Sequence, residues 1–139
     1  MKVKDVMHTG VCVVDADTPV KAIARRMRDE DIGAVPVKAD GKIVGLITDR
    51  DIALRGVAGD EDLAKIKARD VMTPHLVACS PGDDIDEALD LMESNQVRRL
   101  PVLDADKRPV GILSLGDLCS RLPAKTAGAV LRSVAAHHA

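Results

Sequence analysis

The sequence predicts a mixed α/β (α+β) protein built from two copies of one small strand-helix-strand-strand-helix unit. The first observation is an internal repeat, because Asp5-Val6-Met7 recurs 65 residues later as Asp70-Val71-Met72. The second is hydrophobic periodicity, which alternates between short apolar runs and amphipathic helical stretches in the same order in both copies. The third is composition: 139 residues with 46% hydrophobic and 30% charged side chains favour a folded core over disorder.

The repeat continues through most of the chain. Pro36-Val37 recurs as Pro101-Val102 at the same offset of 65 residues. One extra residue in the turn at 104–107 then changes the offset to 66. The stretch from Gly45 to Asp51 therefore matches the stretch from Gly111 to Asp117.

In the first copy, the apolar run 11–14 predicts a buried strand. Thr18 is expected to cap the following helix and Pro19 to occupy its first position, before a core-facing stripe formed by Val20, Ile23, Ala24 and Met27. Two strands follow at 34–38 and 43–48, joined by a hairpin turn at Asp40-Gly41. A second helix should begin near Thr48-Asp49.

In the second copy, the run 76–79 predicts the equivalent strand. Asp83 and Asp84 lie where the helix dipole favours carboxylates, ahead of a stripe formed by Ile85, Ala88, Leu89 and Met92. Strands at 99–103 and 109–114 precede a helix that begins near Ser114-Leu115. Met27 and Met92 are interpreted as core residues in both copies.

These patterns predict a first domain at 1–58, a polar and solvated linker at 59–67, a second domain at 68–122 and a terminal helix at 123–139. The apolar stripe of the last helix is formed by Ala127, Val130, Leu131 and Val134. We expect this helix to pack on the core or on a partner.

Composition excludes several classes of function. A net charge of -2 gives no positive field for nonspecific binding of nucleic acid. No apolar run has the length of a membrane span and the first residues do not form a signal peptide, so we expect a cytoplasmic protein without membrane or nucleic-acid partners. Cys12, Cys79 and Cys119 are odd in number and widely spaced, which favours reduced thiols. The chain has no aromatic residue, so an aromatic ligand ring would lie between aliphatic side chains and backbone.

Together, the Asp-Val-Met openings, the Val-Pro-Val and Leu-Pro-Val strands and the repeated pattern Gly-hydrophobic-x-Thr/Ser-x-x-Asp resemble a pair of CBS domains, or Bateman module, over residues 3–122. The segments Asp31-Ile32-Gly33-Ala34, Thr48-Asp49-Arg50-Asp51 and Gln96-Val97-Arg98-Arg99 are similar to those of stand-alone CBS proteins of the hypoxic-response-protein type. The resemblance implies two βαββα domains packed about a pseudo-twofold axis, a homodimer, and clefts that bind AMP, ATP or other adenosyl ligands in some members.

The resemblance also implies ligand-binding residues. Asp51 and Asp117 are candidates for binding ribose hydroxyls, and Thr48 and Ser114 are candidates for the phosphate side. The glycine of each pattern is expected to end the strand so that a ligand can approach the backbone. Helix capping is the alternative role for the two hydroxyls, whereas the two carboxylates lie too far into the helix for a good cap and therefore favour the ligand interpretation.

Charge distinguishes the two copies. Arg98 and Arg99 precede Leu100-Pro101, where the first copy has Gly33 and Ala34. We expect the cleft with Arg98, Arg99, Ser114 and Asp117 to be the better anion site, closed by the strand near Val11 and Val13. The cleft around Thr48 and Asp51 should favour a less charged group unless Arg50 turns inward. Surface ion pairs of the two arginines with Asp90, Glu93 or Asp104 are the alternative.

The sequence indicates no catalytic constellation, since no Ser/His/Asp or Cys/His set shows motif spacing. His8 and His75 precede the first strands at nearly equivalent places without an acidic partner at helical spacing, and a metal role for them is the weakest hypothesis. His137 and His138 would point apart on a helix and chelate poorly. Three hypotheses remain: a non-catalytic regulatory module that senses an adenosine-type nucleotide for an unidentified partner protein, a ligand-free structural homodimer, and a metal-binding protein.

Overall fold

The computed structural model describes residues 1–74 and 76–135. Its strands are β1 (Val14–Asp15), β2 (Ala34–Ala39), β3 (Lys42–Thr48), β4 (Arg99–Leu103) and β5 (Pro109–Ser114). Its α-helices are α1 (Val20–Glu30), α2 (Asp49–Asp51), α3 (Ala68–Val71), α4 (Ile85–Asn95), α5 (Leu115–Arg121) and α6 (Ala124–Ala135). Short 3-10 turns cover Val3–Asp5 and Leu63–Lys65, and a π-helical segment, Ile52–Val57, continues α2.

The chain forms two compact units that cut across its sequence repeats. The central unit is Cys12–Leu76, and the two-segment unit combines Met1–Val11 with the chain from Val77 onward. Each repeat therefore contributes its opening Asp-Val-Met segment to the unit that contains the other repeat. The predicted domains at 1–58 and 68–122 describe the repeats of the sequence and stay a prediction.

In the central unit, three strands form a sheet in the order β1-β2-β3. β1 pairs parallel to β2, with Val14 opposite Val37, and β2 pairs antiparallel to β3. The predicted Asp40-Gly41 hairpin is confirmed, because both residues have the positive φ, 53° and 76°, that a tight two-residue turn requires. Buried aliphatic side chains, among them Ile23 and Met27, fill the core between this sheet and α1.

The two-segment unit repeats this arrangement with a smaller sheet. β4 and β5 pair antiparallel, and the strand predicted at 76–79 is reduced to one parallel bridge between Cys79 and Val102. The strand predicted at 11–14 is likewise only the two residues Val14–Asp15. Met92 is fully buried in the core of this unit, as predicted.

Backbone groups, rather than side chains, begin helices α1 and α4. The prediction that Thr18 caps α1 and that Pro19 is its first residue is wrong: Pro19 is the N-cap residue, and no side chain caps this helix. Instead, the Val20 amide donates to the Ile66 carbonyl at 3.0 Å. The Ile85 amide at the start of α4 donates to the Met1 carbonyl at 3.1 Å in the same way.

The predicted linker is only partly solvated. Residues 58–65 are exposed, but Ile66 is buried and its carbonyl begins α1, so the end of this segment belongs to the central unit. α6 confirms the predicted terminal helix over its described part and packs on α4 and α5. Ala127 and Val134 are buried in it, but Leu131 is 45% exposed and does not belong to the core-facing stripe. In the described ranges, no helix has both the length and the apolar character needed to cross a membrane.

Candidate ligand-binding sites

The first candidate, the Asp51 site, comprises Thr48 and Asp51 where β3 passes into α2 in the central unit. The Asp51 amide donates to Thr48 Oγ1 at 3.1 Å, and the Thr48 amide donates to Asp51 Oδ2 at 2.9 Å. This reciprocal pair is a capping box, which satisfies two amides that the helix leaves unpaired. Within the described residues, the other carboxylate oxygen, Asp51 Oδ1, accepts no hydrogen bond.

The second candidate, the Asp117 site, comprises Ser114, Asp117 and His8 in the two-segment unit. The Asp117 amide donates to Ser114 Oγ at 3.0 Å, and the Ser114 amide donates to Asp117 Oδ2 at 3.2 Å. His8 Nε2 lies 3.0 Å from Asp117 Oδ1. The two sites have the same backbone arrangement at the strand-to-helix junction. They differ in the side chain that lies beside the second carboxylate oxygen.

This geometry corrects the argument that Asp51 and Asp117 lie too far into their helices to act in capping. A carboxylate at the third helical position can reach back to the amide of the N-cap residue, and both do so. Thr48 and Ser114 are helix caps in both units. Each carboxylate still has a second oxygen beyond the one used by the cap, so capping and ligand binding are compatible.

The glycines of the repeated pattern have a different role from the one predicted. Gly45 and Gly111 lie inside β3 and β5 instead of ending them. A Cβ on Gly45 would lie 2.7 Å from the Thr73 carbonyl oxygen, and one on Gly111 would lie 2.8 Å from that of His8. The absent side chain therefore makes room for the Asp-Val-Met segment of this same chain.

The arginines lie close to the Asp117 site in the fold. The Arg98 carbonyl accepts a 2.8 Å hydrogen bond from the Leu115 amide, and Arg99 is directly opposite Ser114 in the β4-β5 register. The Arg98 side chain is exposed, and within the described residues it forms no ion pair with Asp90, Glu93 or Asp104. In the central unit Gly33 replaces Arg98, its carbonyl accepting from the Asp49 amide, and Arg50 is exposed.

Val11 and Val13 are both half-buried but belong to different units. Val11 ends the first segment of the two-segment unit, whereas Val13 lies in the central unit. Their predicted role in closing the Asp117 site stays a prediction.

Sequence reasoning missed the partner of His8. The residue structurally equivalent to His8 is Thr73 and not His75: His8 exchanges two backbone hydrogen bonds with Ile112, and Thr73 exchanges two with Leu46. The offset of 65 residues contained this signal, since it relates position 8 to position 73. His75, His137 and His138 lie outside the described residues, and within the described ranges no three His, Cys, Asp or Glu side chains are grouped as metal ligands.

A separate open depression of about 690 Å³ lies in the central unit, away from Thr48 and Asp51. Its charged lining consists of Asp17, Glu61, Asp62, Lys65, Lys67, Arg69 and Asp70. Arg69 forms an ion pair with Asp17, and Lys67 lies 3.9 Å from the same carboxylate. The basic side chains are therefore largely balanced by acidic neighbours.

Comparison with known proteins adds curated relatives of similar length. The chain is 37% identical over 133 residues to the CBS domain-containing protein YhcV of Bacillus subtilis, covering 95% of this chain and 94% of YhcV. It is 36% identical over 121 residues to hypoxic response protein 1 of Mycobacterium tuberculosis, covering 86% of this chain and 84% of that protein.

Solved structures and the family model agree with these relatives. A conserved CBS domain protein of unknown function from Thermoplasma acidophilum, TA0289, superposes with a TM-score of 0.85 at 26% identity, covering 96% of this chain and 75% of that one. The family model for the CBS domain matches twice, at residues 3–58 and 68–124. The resemblance seen in the sequence motifs is thus confirmed, and the chain belongs to the CBS-domain family as two tandem CBS repeats.

Proposed function

We propose that this protein is a non-catalytic regulatory module that binds an adenosine-type nucleotide at the Asp51 and Asp117 sites. The observation that carries the proposal is the same hydroxyl-carboxylate pair at the same strand-to-helix junction in both units. In each pair the helix cap fixes one carboxylate oxygen and so orients the second. A carboxylate held in this way can accept the hydroxyl hydrogens of a ribose.

Ligand binding by a related fold supports the proposal. The CBS domain pair of the protein MJ0100, which superposes with a TM-score of 0.77 at 22% identity, was crystallised in complex with 5'-methylthioadenosine and S-adenosyl-L-methionine. That similarity establishes a shared fold. The transfer of an adenosyl ligand, AMP or ATP included, to this chain is part of our proposal.

The proposal also includes phosphate binding by Arg98 and assembly into a homodimer. Arg98 is an exposed cation one strand away from Ser114 and can contact the phosphate of a nucleotide in the Asp117 site. We propose that the working form is a homodimer and that ligand binding changes its affinity for a regulated protein. A ligand-free structural homodimer is the main alternative.

A metal-binding role is the remaining alternative. The solved structure of hypoxic response protein I, 35% identical to this chain, contains two coordinated zinc ions. In the part of this chain that the structure describes, no group of three or more His, Cys, Asp or Glu side chains is placed to hold a metal ion. Elemental analysis of the purified protein separates the two hypotheses, since a stoichiometric metal content would favour metal binding over nucleotide sensing.

The absence of aromatic residues makes the first test direct. The chain itself absorbs very little in the near ultraviolet, so a bound adenine compound would dominate the spectrum of the purified protein. We expect adenine absorbance, or an increase in melting temperature when AMP, ATP or S-adenosylmethionine is added, because a ligand that binds only the folded state stabilises it. Mass spectrometry after denaturation would identify any ligand released.

Asp51→Asn and Asp117→Asn together should remove this response, because an amide can still accept the capping hydrogen bond but no longer carries the charge that binds ribose hydroxyls. Asp86→Asn is the matched control, since it makes the same chemical change at an exposed position on α4. An unchanged ligand response in the double variant, or no response in the unaltered protein, would contradict the proposal.

A further inference from the structure

The two candidate sites have the same frame but not the same access to their carboxylates. In both, Oδ2 accepts the amide of the capping residue, at 2.9 Å for Asp51 and 3.2 Å for Asp117. A neighbouring Asp-Val-Met segment then places one residue beside each strand that leads to the carboxylate. That residue is Thr73 in the central unit and His8 in the two-segment unit.

The two residues differ in their contact with Oδ1, the carboxylate oxygen that we propose for ligand binding. His8 Nε2 lies 3.0 Å from Asp117 Oδ1, which is within hydrogen-bonding distance. Within the described residues, Asp51 Oδ1 has no such partner. The His8 side chain is 77% exposed and that of Asp117 is 21% exposed, so the imidazole lies on the solvent side of the carboxylate.

A carboxylate that binds a ribose diol accepts the two hydroxyl hydrogens, and each carboxylate oxygen has two acceptor positions. In the Asp117 site, Oδ2 accepts the Ser114 amide, and His8 Nε2 lies 3.0 Å from Oδ1. At this distance the imidazole ring occupies the space on the solvent side of Oδ1 through which a ribose hydroxyl would approach. A ribose hydroxyl that reaches Oδ1 from this side therefore has to displace His8.

We infer that His8 competes with ribose hydroxyls for Asp117, so that an uncharged nucleoside occupies the Asp51 site before the Asp117 site. The inference rests on the proposed function and adds an order of binding to it. The two sites then have different roles. The Asp51 site, beside Thr73, binds a ribose more tightly. The Asp117 site depends on additional contacts, such as those of Arg98 with a phosphate.

Exchange of the two equivalent side chains tests this order. We would titrate adenosine into the protein by calorimetry and assign the tighter and weaker steps with Asp51→Asn and Asp117→Asn. His8→Thr should tighten the Asp117 step by up to about fivefold, the upper value for one solvent-exposed pair with a carboxylate, and leave the Asp51 step within about twofold. Thr73→His should weaken the Asp51 step by a similar factor.

A conservative variant controls for structural damage. His8→Gln keeps an N–H donor for Asp117 Oδ1 and should retain the weak step, whereas the backbone hydrogen bonds of His8 with Ile112 are preserved in every variant. If His8→Thr leaves the Asp117 step unchanged or weakens it while the Asp51 step persists, the competition is disproved and the proposed function stands. If adenosine binds none of these proteins, the order of binding is disproved, and the response to AMP, ATP or S-adenosylmethionine decides the proposed function separately.

Discussion

The carboxylate of Asp117 serves the fold with one oxygen and the candidate site with the other. Oδ2 accepts a hydrogen bond from the Ser114 amide at the start of α5, and Oδ1 lies 3.0 Å from His8 Nε2. Replacement by alanine would remove both contacts and destabilise the helix start by about 1 kcal/mol. A change in ligand affinity could then not be separated from a loss of stability. Asparagine is therefore the informative substitution here and at Asp51.

The thiol of Cys79 is the ionisable group most affected by burial. Burial raises its pKa from the ordinary 9.0 to about 11, because the thiolate is poorly solvated beside the Pro101 carbonyl and the core. Burial also raises the pKa of Cys12 and Cys119, which are only partly buried. All three thiols are thus expected to be protonated at neutral pH.

We predict that a thiol reagent at pH 8 modifies Cys12 and Cys119 well before Cys79 in the folded protein, and all three equally after denaturation. Because the folded pKa of Cys79 is raised, its contribution to stability is complete below pH 9 and is lost as the pH rises from 9 to about 11. Mass spectrometry of timed alkylation measures the order. The prediction fails if Cys79 reacts first.

At the scale of elements, the β-hairpin of each unit contains a glycine whose missing side chain leaves room for a neighbouring segment of the chain. Gly111 lies in β5 where the backbone of Met7 and His8 crosses it, and a Cβ there would meet Met7 Sδ at 2.6 Å. Met7 can move, but the His8 carbonyl oxygen at 2.8 Å is held by its hydrogen bond from Ile112. A larger residue at this position therefore forces the crossing segment to move.

We predict that Gly111→Ala lowers the free energy of unfolding by about 1–3 kcal/mol, because the new methyl group overpacks the junction. Gly128→Ala is the matched control. A Cβ on Gly128, which lies in α6, would have no neighbouring atom within 4 Å, so alanine there should stabilise the helix by about 0.5–1 kcal/mol. Urea denaturation of both variants provides the comparison, and equal effects would contradict the assignment.

Elements with strong local signals could be predicted from the sequence, and those that depend on distant backbone could not. The stripes of α1 and α4 and the Asp40-Gly41 turn follow from local periodicity and turn chemistry. The start of α1 does not, because its first amide is satisfied by Ile66, which is distant in the sequence. For the same reason, the repeat located Asp117 but not the approach of His8 to it.

At the scale of the whole molecule, the first eleven residues complete a unit formed mostly by the second repeat. Val3 is fully buried in the core of the two-segment unit, and its amide donates to the Asp83 carbonyl at 2.9 Å. Lys2 adds an exposed ion pair with Asp84 at 2.9 Å, which raises the pKa of the lysine and lowers that of the carboxyl. The segment is thus part of a core and not a tail.

We predict that Val3→Ala destabilises the two-segment unit by about 2 kcal/mol, since it removes two methyl groups from a closed core. Hydrogen exchange should show faster opening in 77–135 than in 12–74. Val57→Ala is the control, because Val57 is 66% exposed and its truncation should change neither unit. Equal loss of protection in both ranges would show that the units do not open separately.

The two-segment arrangement also fixes an order of events during synthesis on the ribosome. The central unit is continuous, so it can close as soon as Leu76 has emerged, while Met1–Val11 still lacks every strand on which it packs. At about 5–20 residues per second, this segment waits several seconds for β5 to be translated. A buried position such as Val3 is therefore exposed to chaperones for longer in the nascent chain than any buried residue of the second repeat.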